Sequence, residues 1–333
     1  MKRIGTLTYV TYYLLILAVV MIGAHWLRGL LNLASYGEKF LSYLPFIPLF
    51  WETRLFRNSR NLPVKFRKFS SGKITVYLLN MDRATARLAK VMPMISRLGF
   101  QWERISAIDG DLLSKEYIKS IADLESYKKY FRMLPEVGTI GCSLSHEKAW
   151  RKFLESNNEF AIIFEDDAYF DPQELLEIIQ PLIKKKELWD IVGLELNHHG
   201  HPIKITPLVN GRFLVAYLSN VKHAGCYLIN RFAAHKLLEK FYPIKMPVDH
   251  YYTASWEFNF KFAGVEPRIV RQKFKYSQIK TSQNVRVTSL AVFMANIIYN
   301  AKRALLQTIC SFYYFLLTCD TISSIVGNCN GKK

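Results

Sequence analysis

Three consecutive carboxylates, Glu165, Asp166 and Asp167, follow directly on the apolar run Ala161-Ile-Ile-Phe164. An uninterrupted apolar run, β-branched in its middle, reads as a strand buried on both faces. Like charges at this spacing repel, and burial adds a desolvation cost, so the three acids cannot all be buried without partners. A cation beside them removes the conflict. Open α/β sheets place ligands beyond the carboxyl ends of their strands, which is where these acids stand. Side chains alternate across a strand, so Glu165 and Asp167 can point the same way. Hard oxygen donors of this kind suit Mg²⁺ or Mn²⁺ shared with the phosphates of a substrate. The same acids also fit a solvated turn capping a helix that begins near Asp171-Pro172. Histidines are the other conspicuous chemistry. His198, His199 and His201 lack helical spacing and a nearby acid triad, so they read as a solvated loop over the site rather than a metal cluster.

The surrounding elements must hold those acids in place. Ile74 to Leu79 reads as a buried first strand, followed by Asn80-Met-Asp-Arg83 and a helix from about Ala84 to Leu98, stopped by Gly99. Trp102 to Ile108 reads as a second strand ending in the turn dipeptide Asp109-Gly110. Helical stretches run to about Arg132. Gly138 to His146 opens a further helix through Phe153, with Ser143 or Ser145 as its cap. After the acidic strand come a helix from Pro172 to Lys186 and a strand from Trp189 to Glu195. Alternating strands and helices predict an α/β sheet, mostly parallel.

Composition narrows the class. Half of the 333 residues are hydrophobic and 14 % are aromatic, which excludes a mainly disordered chain. The formal charge of +18 calls for an anionic partner: nucleic acid, a membrane surface or a phosphorylated substrate. No nucleic-acid module and no aromatic-basic alternation supports the first. Five cysteines without a CxxC pair give neither a disulfide framework nor a zinc signature, and fit reduced thiols in a cytosol.

Residues 4–24 carry no charge and are long enough to span a bilayer as a helix. Without a convincing cleavage site they read as a retained anchor rather than a signal peptide. The basic cluster from Arg54 to Lys68 leans toward a catalytic part on the cytoplasmic face of the inner membrane. Residues 29–51, interrupted by Pro45 and Pro48, read as an interfacial segment. The expected organisation is an anchor at 1–28, an apolar then basic linker at 29–72, a globular domain at 73–272 and a membrane-associated helical region at 273–333. Within the last, Asn296, Asn300, Arg303, Gln307 and Ser311 recur at steps of three and four, on one narrow helical stripe. Such a helix packs on the domain or lies in the membrane interface, and the basic pair Lys302-Arg303 favours the interface.

Five segments in order carry a family resemblance: Val76-Tyr-Leu-Leu-Asn-Met-Asp-Arg83, Leu98-Gly99 through Ala107-Ile-Asp-Gly110, Gly138-Thr-Ile-Gly-Cys-Ser-Leu-Ser-His146, Ile163-Phe-Glu-Asp-Asp167 and Pro247-Val-Asp-His250. Together, over about residues 73–272, they resemble glycosyltransferase family 25, the lipopolysaccharide glycosyltransferases that include β-1,4-galactosyltransferases. The resemblance implies a GT-A-like single nucleotide-sugar-binding domain, an inverting mechanism, Mn²⁺ or Mg²⁺, and a UDP-sugar donor such as UDP-galactose. It implies a glycan or glycolipid acceptor, so the expected enzyme is a membrane-anchored hexosyltransferase. By the same resemblance Asp167 binds the metal and Glu165 the metal's waters or the ribose. Asn80, Asp82, Arg83, Asp109 and His146 are expected at the donor; Arg83 fits a phosphate contact or a plain salt bridge, and His146 fits a donor contact or a helix-orienting role. Inverting transfer needs a base on the acceptor side, for which Asp249 is the first candidate and Glu257 the second. His250 could complete the metal shell beside Asp167. A metal-dependent phosphoester hydrolase and an inactive membrane adaptor with the same fold are the rival readings.

Overall fold

The computed structural model describes residues 74–197, 201–272 and 289–329. In chain order the elements are β1 (Ile74–Asn80), α1 (Thr85–Ser96), β2 (Gln101–Ser106), α2 (Lys115–Ile121), α3 (Leu124–Phe131), α4 (Val137–Glu155), β3 (Phe160–Glu165), β4 (Ala168–Tyr169) and α5 (Pro172–Lys184). They continue with β5 (Ile191–Asn197), β6 (Pro202–Pro207), β7 (Phe213–Tyr217), β8 (Lys222–Asn230), α6 (Arg231–Glu239), α7 (Val248–Thr253), α8 (Ser255–Phe258), β9 (Phe262–Glu266), β10 (Arg271–Gln272) and α9 (Leu290–Cys329).

Eight strands form one sheet in the order β2-β1-β3-β8-β5-β9-β7-β6. β1 is buried along its whole length and β3 up to Phe164, as their unbroken apolar runs require. Alternate residues feed two cores. Tyr77, Leu79, Ala161 and Ile163 join Trp150 and Phe153 of α4 on one face. Val76, Leu78, Ile162 and Phe164 join Val91 and Ile95 of α1 and Leu175 and Ile178 of α5 on the other.

The expectation of a mostly parallel sheet is corrected to a mixed one. β1 pairs in parallel with β2 and β3, and β5 with β9. The β3–β8, β5–β8, β7–β9 and β6–β7 pairings are antiparallel. Helical crossovers, which force parallel pairing, dominate only the first half of the chain. In the second half, Asn210-Gly211 sits at positive φ (54° and 71°) between β6 and β7, a short turn whose twist matches an antiparallel hairpin. The Gly138–His146 segment opens α4, which starts at Val137, but the expected cap is corrected: Glu136 holds the N-cap position and neither serine caps the helix. Ser145 Oγ instead donates to the Gly141 carbonyl (2.7 Å) and accepts from Ile108 N–H (2.8 Å).

α9 packs its polar stripe on the domain. Arg303, Gln307 and Ser311 are buried. Gln307 Nε2 donates to the Tyr217 carbonyl (2.9 Å) and Thr308 Oγ1 to the Leu218 carbonyl (2.9 Å). Asn296 donates to the Tyr130 carbonyl. Ile298, Ile309 and Tyr313 face outward. The expectation that this helix lies in the membrane interface is corrected for its polar stripe, which packs on the domain because backbone carbonyls at the end of β7 need donors and the stripe supplies them. Among the described residues no helix is long and apolar enough to cross a membrane. The proposed anchor at 4–24, the linker at 29–72, and His198 and His199 lie outside the described residues.

Candidate active site

The carboxyl ends of the parallel strands β1 and β3 and the start of antiparallel β8 meet at one edge of the sheet. There α4 and the first turn of α7 close a cavity of about 620 Å³. Two glycines make the closure possible. A Cβ on Gly110 would lie 2.0 Å from the Val137 carbonyl oxygen, and one on Gly141 would lie 2.6 Å from that of Ile108. The Asp109-Gly110 turn therefore seats directly on α4, which carries Cys142 and His146 to the cavity wall.

The three acids separate into different roles. Asp166 is held by Asn80 Nδ2 (2.8 Å) and Arg87 (2.9 Å). Asn80 Oδ1 in turn accepts from Arg104 Nε (2.9 Å), and Arg104 reaches Asp82 (2.5 Å). Asn80 and Asp82 thus belong to a bracket that fixes Asp166; neither lines the cavity. Asp167 is nearly buried, and its Oδ1 has no hydrogen-bond partner. Burial, and after it the charge of Glu165, outweigh Arg87, 3.7 Å from Oδ2, and push the carboxyl up to about 7. Glu165 has partners: His146 Nε2 at 3.2 Å and the Cys142 thiol at 3.7 Å, both on Oε1. Burial would raise this carboxyl, but the hydrogen bond and charge of His146, with the charge of His223, hold it below its ordinary value.

On the opposite wall, Asp249 Oδ2 accepts from the backbone N–H of His223 (3.1 Å). The His223 ring stands 3.5 Å from buried Glu195, and that carboxylate holds the imidazole above its ordinary value. His250 lines the cavity, its ring against Phe131 at 4.9 Å, and its Nδ1 is buried without a partner. At the rim Arg83 and Asp109 form an ion pair. Glu257 is elsewhere: it pairs with Lys245 Nζ at 2.6 Å and does not line the cavity.

The structure therefore brings Asp109, Arg83, His146, Glu165, Asp167, Asp249 and His250 to one cavity, and leaves Asn80, Asp82 and Glu257 outside it. The profile of glycosyltransferase family 25 (LPS biosynthesis protein) matches residues 73–252, more than half of the chain. The chain belongs to glycosyltransferase family 25. A glycosyltransferase 25 family member of Anopheles gambiae is 35 % identical over 100 residues, covering 29 % of this chain and 17 % of that protein. One from Aedes aegypti is 30 % identical over 133 residues, 38 % and 22 % of the two chains. Procollagen galactosyltransferase 1-A of Xenopus laevis is 27 % identical over 183 residues, 53 % of this chain and 30 % of that one. The match thus spans under a third of each of these relatives. A solved glycosyltransferase involved in the glycosylation of the major capsid of PBCV-1 aligns over 61 % of this chain and 94 % of its own, at 12 % identity and a TM-score of 0.34.

Sequence reading of this family 25 chain missed Arg87, Cys142 and His223. Arg87 lies one helical turn beyond Arg83, so a reading that stopped at the strand end stopped one turn early. Cys142 was inside a quoted motif, but without a CxxC partner it gave no signal. His223, at φ 76°, belongs to no pattern, and only the fold places its amide against Asp249.

Proposed function

We propose that this family 25 chain is an inverting, metal-dependent hexosyltransferase that moves galactose from UDP-galactose onto a lipid-linked glycan such as lipopolysaccharide. The observation that carries the reading is Asp167: a buried carboxylate oxygen without a partner, facing a cavity of nucleotide-sugar size beside Arg87. A carboxylate with one orphaned oxygen, pushed up to about 7 although Arg87 stands near the other, is a site short of one positive charge. With the orphaned His250 Nδ1 on the same cavity, the donor set fits Mn²⁺, or Mg²⁺ with more water. Asp167 and His250 would hold the ion; Glu165, already engaged by His146 and Cys142, stands beside it. A divalent cation there supplies Lewis-acid stabilisation to a diphosphate leaving group.

The chain's own groups do the rest. Arg87, fixed between Asp166 and Asp167, directs positive charge toward the donor phosphates. Asp249, oriented by the His223 amide, takes the proton of the acceptor hydroxyl as that oxygen bonds to the anomeric carbon. The bond from that carbon to phosphate oxygen breaks on the opposite face, giving inversion. Galactose is favoured because procollagen galactosyltransferases are among the relatives. Residues 4–24 supply a bilayer anchor, and the outward apolar face of α9 rests on the same cytoplasmic surface.

Incubating full-length protein with a panel of nucleotide sugars, Mn²⁺ and glycolipid acceptors, with mass detection of products, tests the reading. Hexose added to the acceptor is expected. Release of free sugar without acceptor transfer points instead to a hydrolase, and absence of metal-dependent donor binding to an inactive adaptor.

A further inference from the structure

We propose that Cys142, His146 and Glu165 form a binding site for a thiophilic divalent cation of the Zn²⁺ class, distinct from the hard-cation position at Asp167, and that filling it inhibits transfer. Three different donor atoms, a thiol sulfur, an imidazole nitrogen and a carboxylate oxygen, lie within 4.8 Å of one another. Cys142 and His146 are four residues apart on α4, hence on one face, one turn apart. Glu165 comes to them from the end of β3.

The spacing fits a small tetrahedral ion. Bonds of about 2.3 Å to sulfur and about 2.0–2.2 Å to nitrogen and oxygen give tetrahedral edges of roughly 3.3–3.7 Å. The sulfur–oxygen edge is 3.7 Å and the nitrogen–oxygen edge 3.2 Å, so side-chain adjustments of a few tenths of an ångström suffice there. The fourth position opens on the cavity, which all three residues line. An outer partner is also in place: His146 Nδ1 lies 2.9 Å from Tyr227 Oη, which accepts from Trp150 Nε1 at 2.8 Å. That contact fixes the ring with Nε2 toward Glu165, the arrangement that metal-bound histidines use.

Without an ion, the Cys142 thiol donates to Glu165 Oε1, and the His146 Nε2 proton points at the same oxygen. Burial pushes the thiol well above its ordinary range, so the sulfur keeps its proton until a cation displaces it. Binding releases the thiol proton to solvent, and the Nε2 proton of the neutral imidazole moves to Nδ1, facing Tyr227 Oη, so that Nε2 is free to bind. The product is a thiolate–imidazole–carboxylate set with one exchangeable position. Its thiolate makes this set softer than Asp167 and His250 with water, which directs Zn²⁺ here and Mn²⁺ there. An ion at this position draws Glu165 away from the donor side, which is why occupancy should inhibit. That inhibitory half rests on the transfer reading; the binding half does not.

The test is a titration of metal-stripped full-length protein with Co²⁺ and with Zn²⁺, followed by thiolate-to-cobalt charge-transfer absorption and by competition with a chromophoric chelator. One ion per chain with a thiolate band is expected, with affinity reduced ~100-fold in Cys142→Ser and in His146→Gln and retained in Asp167→Asn. Circular dichroism confirms that each variant is folded, and two independent ligand variants guard against loss of either one. No thiolate band, or equal affinity in wild type and folded Cys142→Ser, overturns the site. In the activity arm, Zn²⁺ inhibition of Mn²⁺-supported transfer should weaken in Cys142→Ser, relative to that variant's own rate. Equal inhibition of both overturns the inhibitory half. If the protein transfers nothing under any metal, the transfer reading fails while the spectroscopic arm still decides the site.

Discussion

Braced polar groups and orphaned polar groups stand side by side in this molecule. Outside the cavity Arg104 meets Asp82 and Lys245 meets Glu257, and on its wall Asp166 is held by Asn80 and Arg87. In the cavity, Asp167 Oδ1 and His250 Nδ1 are buried without hydrogen-bond partners. Leaving a buried polar atom unsatisfied costs about 1–3 kcal/mol, a cost that a ligand in the cavity would relieve at both. The contrast separates residues that act from residues that brace, even when they are neighbours in sequence. Asp166 and Asp167 are adjacent, chemically identical, and on opposite sides of that line.

The widest predicted gap is at Asp167. Asp167→Asn should lower transfer by several kcal/mol in the barrier, on the order of 10³-fold, with an unchanged circular dichroism spectrum. A folded variant with near-normal rate at limiting Mn²⁺ would erase the distinction. Next, Asp249→Asn should cost roughly 10²–10⁴-fold in turnover while donor binding persists; Glu257→Gln should cost less than about 3-fold, since it stands outside the cavity and pairs only with a half-buried lysine. The reverse ranking in steady-state kinetics would move the base to Glu257. Third, Asp166→Ala should cost about 3 kcal/mol in denaturant unfolding, because it removes the acceptor that Arg87 and Asn80 share in a buried bracket. A change within 0.5 kcal/mol would show that the bracket braces nothing.

The smallest effect is a pH signature of the unpartnered acid. In metal-free protein the Asp167 carboxyl stands at about 7 against 3.8 ordinarily. Between those values the folded state holds the proton more tightly than the unfolded state, so stability contributed here falls as pH rises through the window. Asp167→Asn removes that slope. Its melting temperature should therefore exceed that of wild type by a few degrees above pH 7, and the two should converge toward pH 4. Parallel melting curves across the range would mean that Asp167 is already satisfied.

The first half of the fold was legible because its signals are local. Apolar runs at β1 and β3, the Asp109-Gly110 turn and the Asp171-Pro172 start of α5 each follow from neighbouring residues. The family motifs likewise carried Glu165, Asp167, Asp249 and His250 to a shared site. What failed was non-local. Nothing in the order of residues says that β8 inserts antiparallel between β3 and β5, although Asn210-Gly211 does signal a hairpin. Asn80 and Asp82 sit beside cavity residues in the chain, but Arg104 arrives from β2 and ties them outward. Arg87 was within reach of helical spacing from Arg83, whereas His223 matters only through Asp249, distant in sequence, and no spacing rule could single it out.

α9 carries a lesson about how this chain can drift. On an ordinary surface helix, exchanges among apolar residues are the guarded ones and polar positions vary freely. Here Gln307 and Thr308 close the hydrogen bonds of two carbonyls at the end of β7, while Ile298 and Ile309 touch little of the domain. A hydropathy-minded substitution such as Gln307→Leu is therefore the harmful one for folding, and Ile298→Gln the harmless one. Homologous chains compared along this helix should keep their glutamines, threonines and asparagines in register and let their isoleucines wander, the inverse of the pattern by which helices are usually aligned.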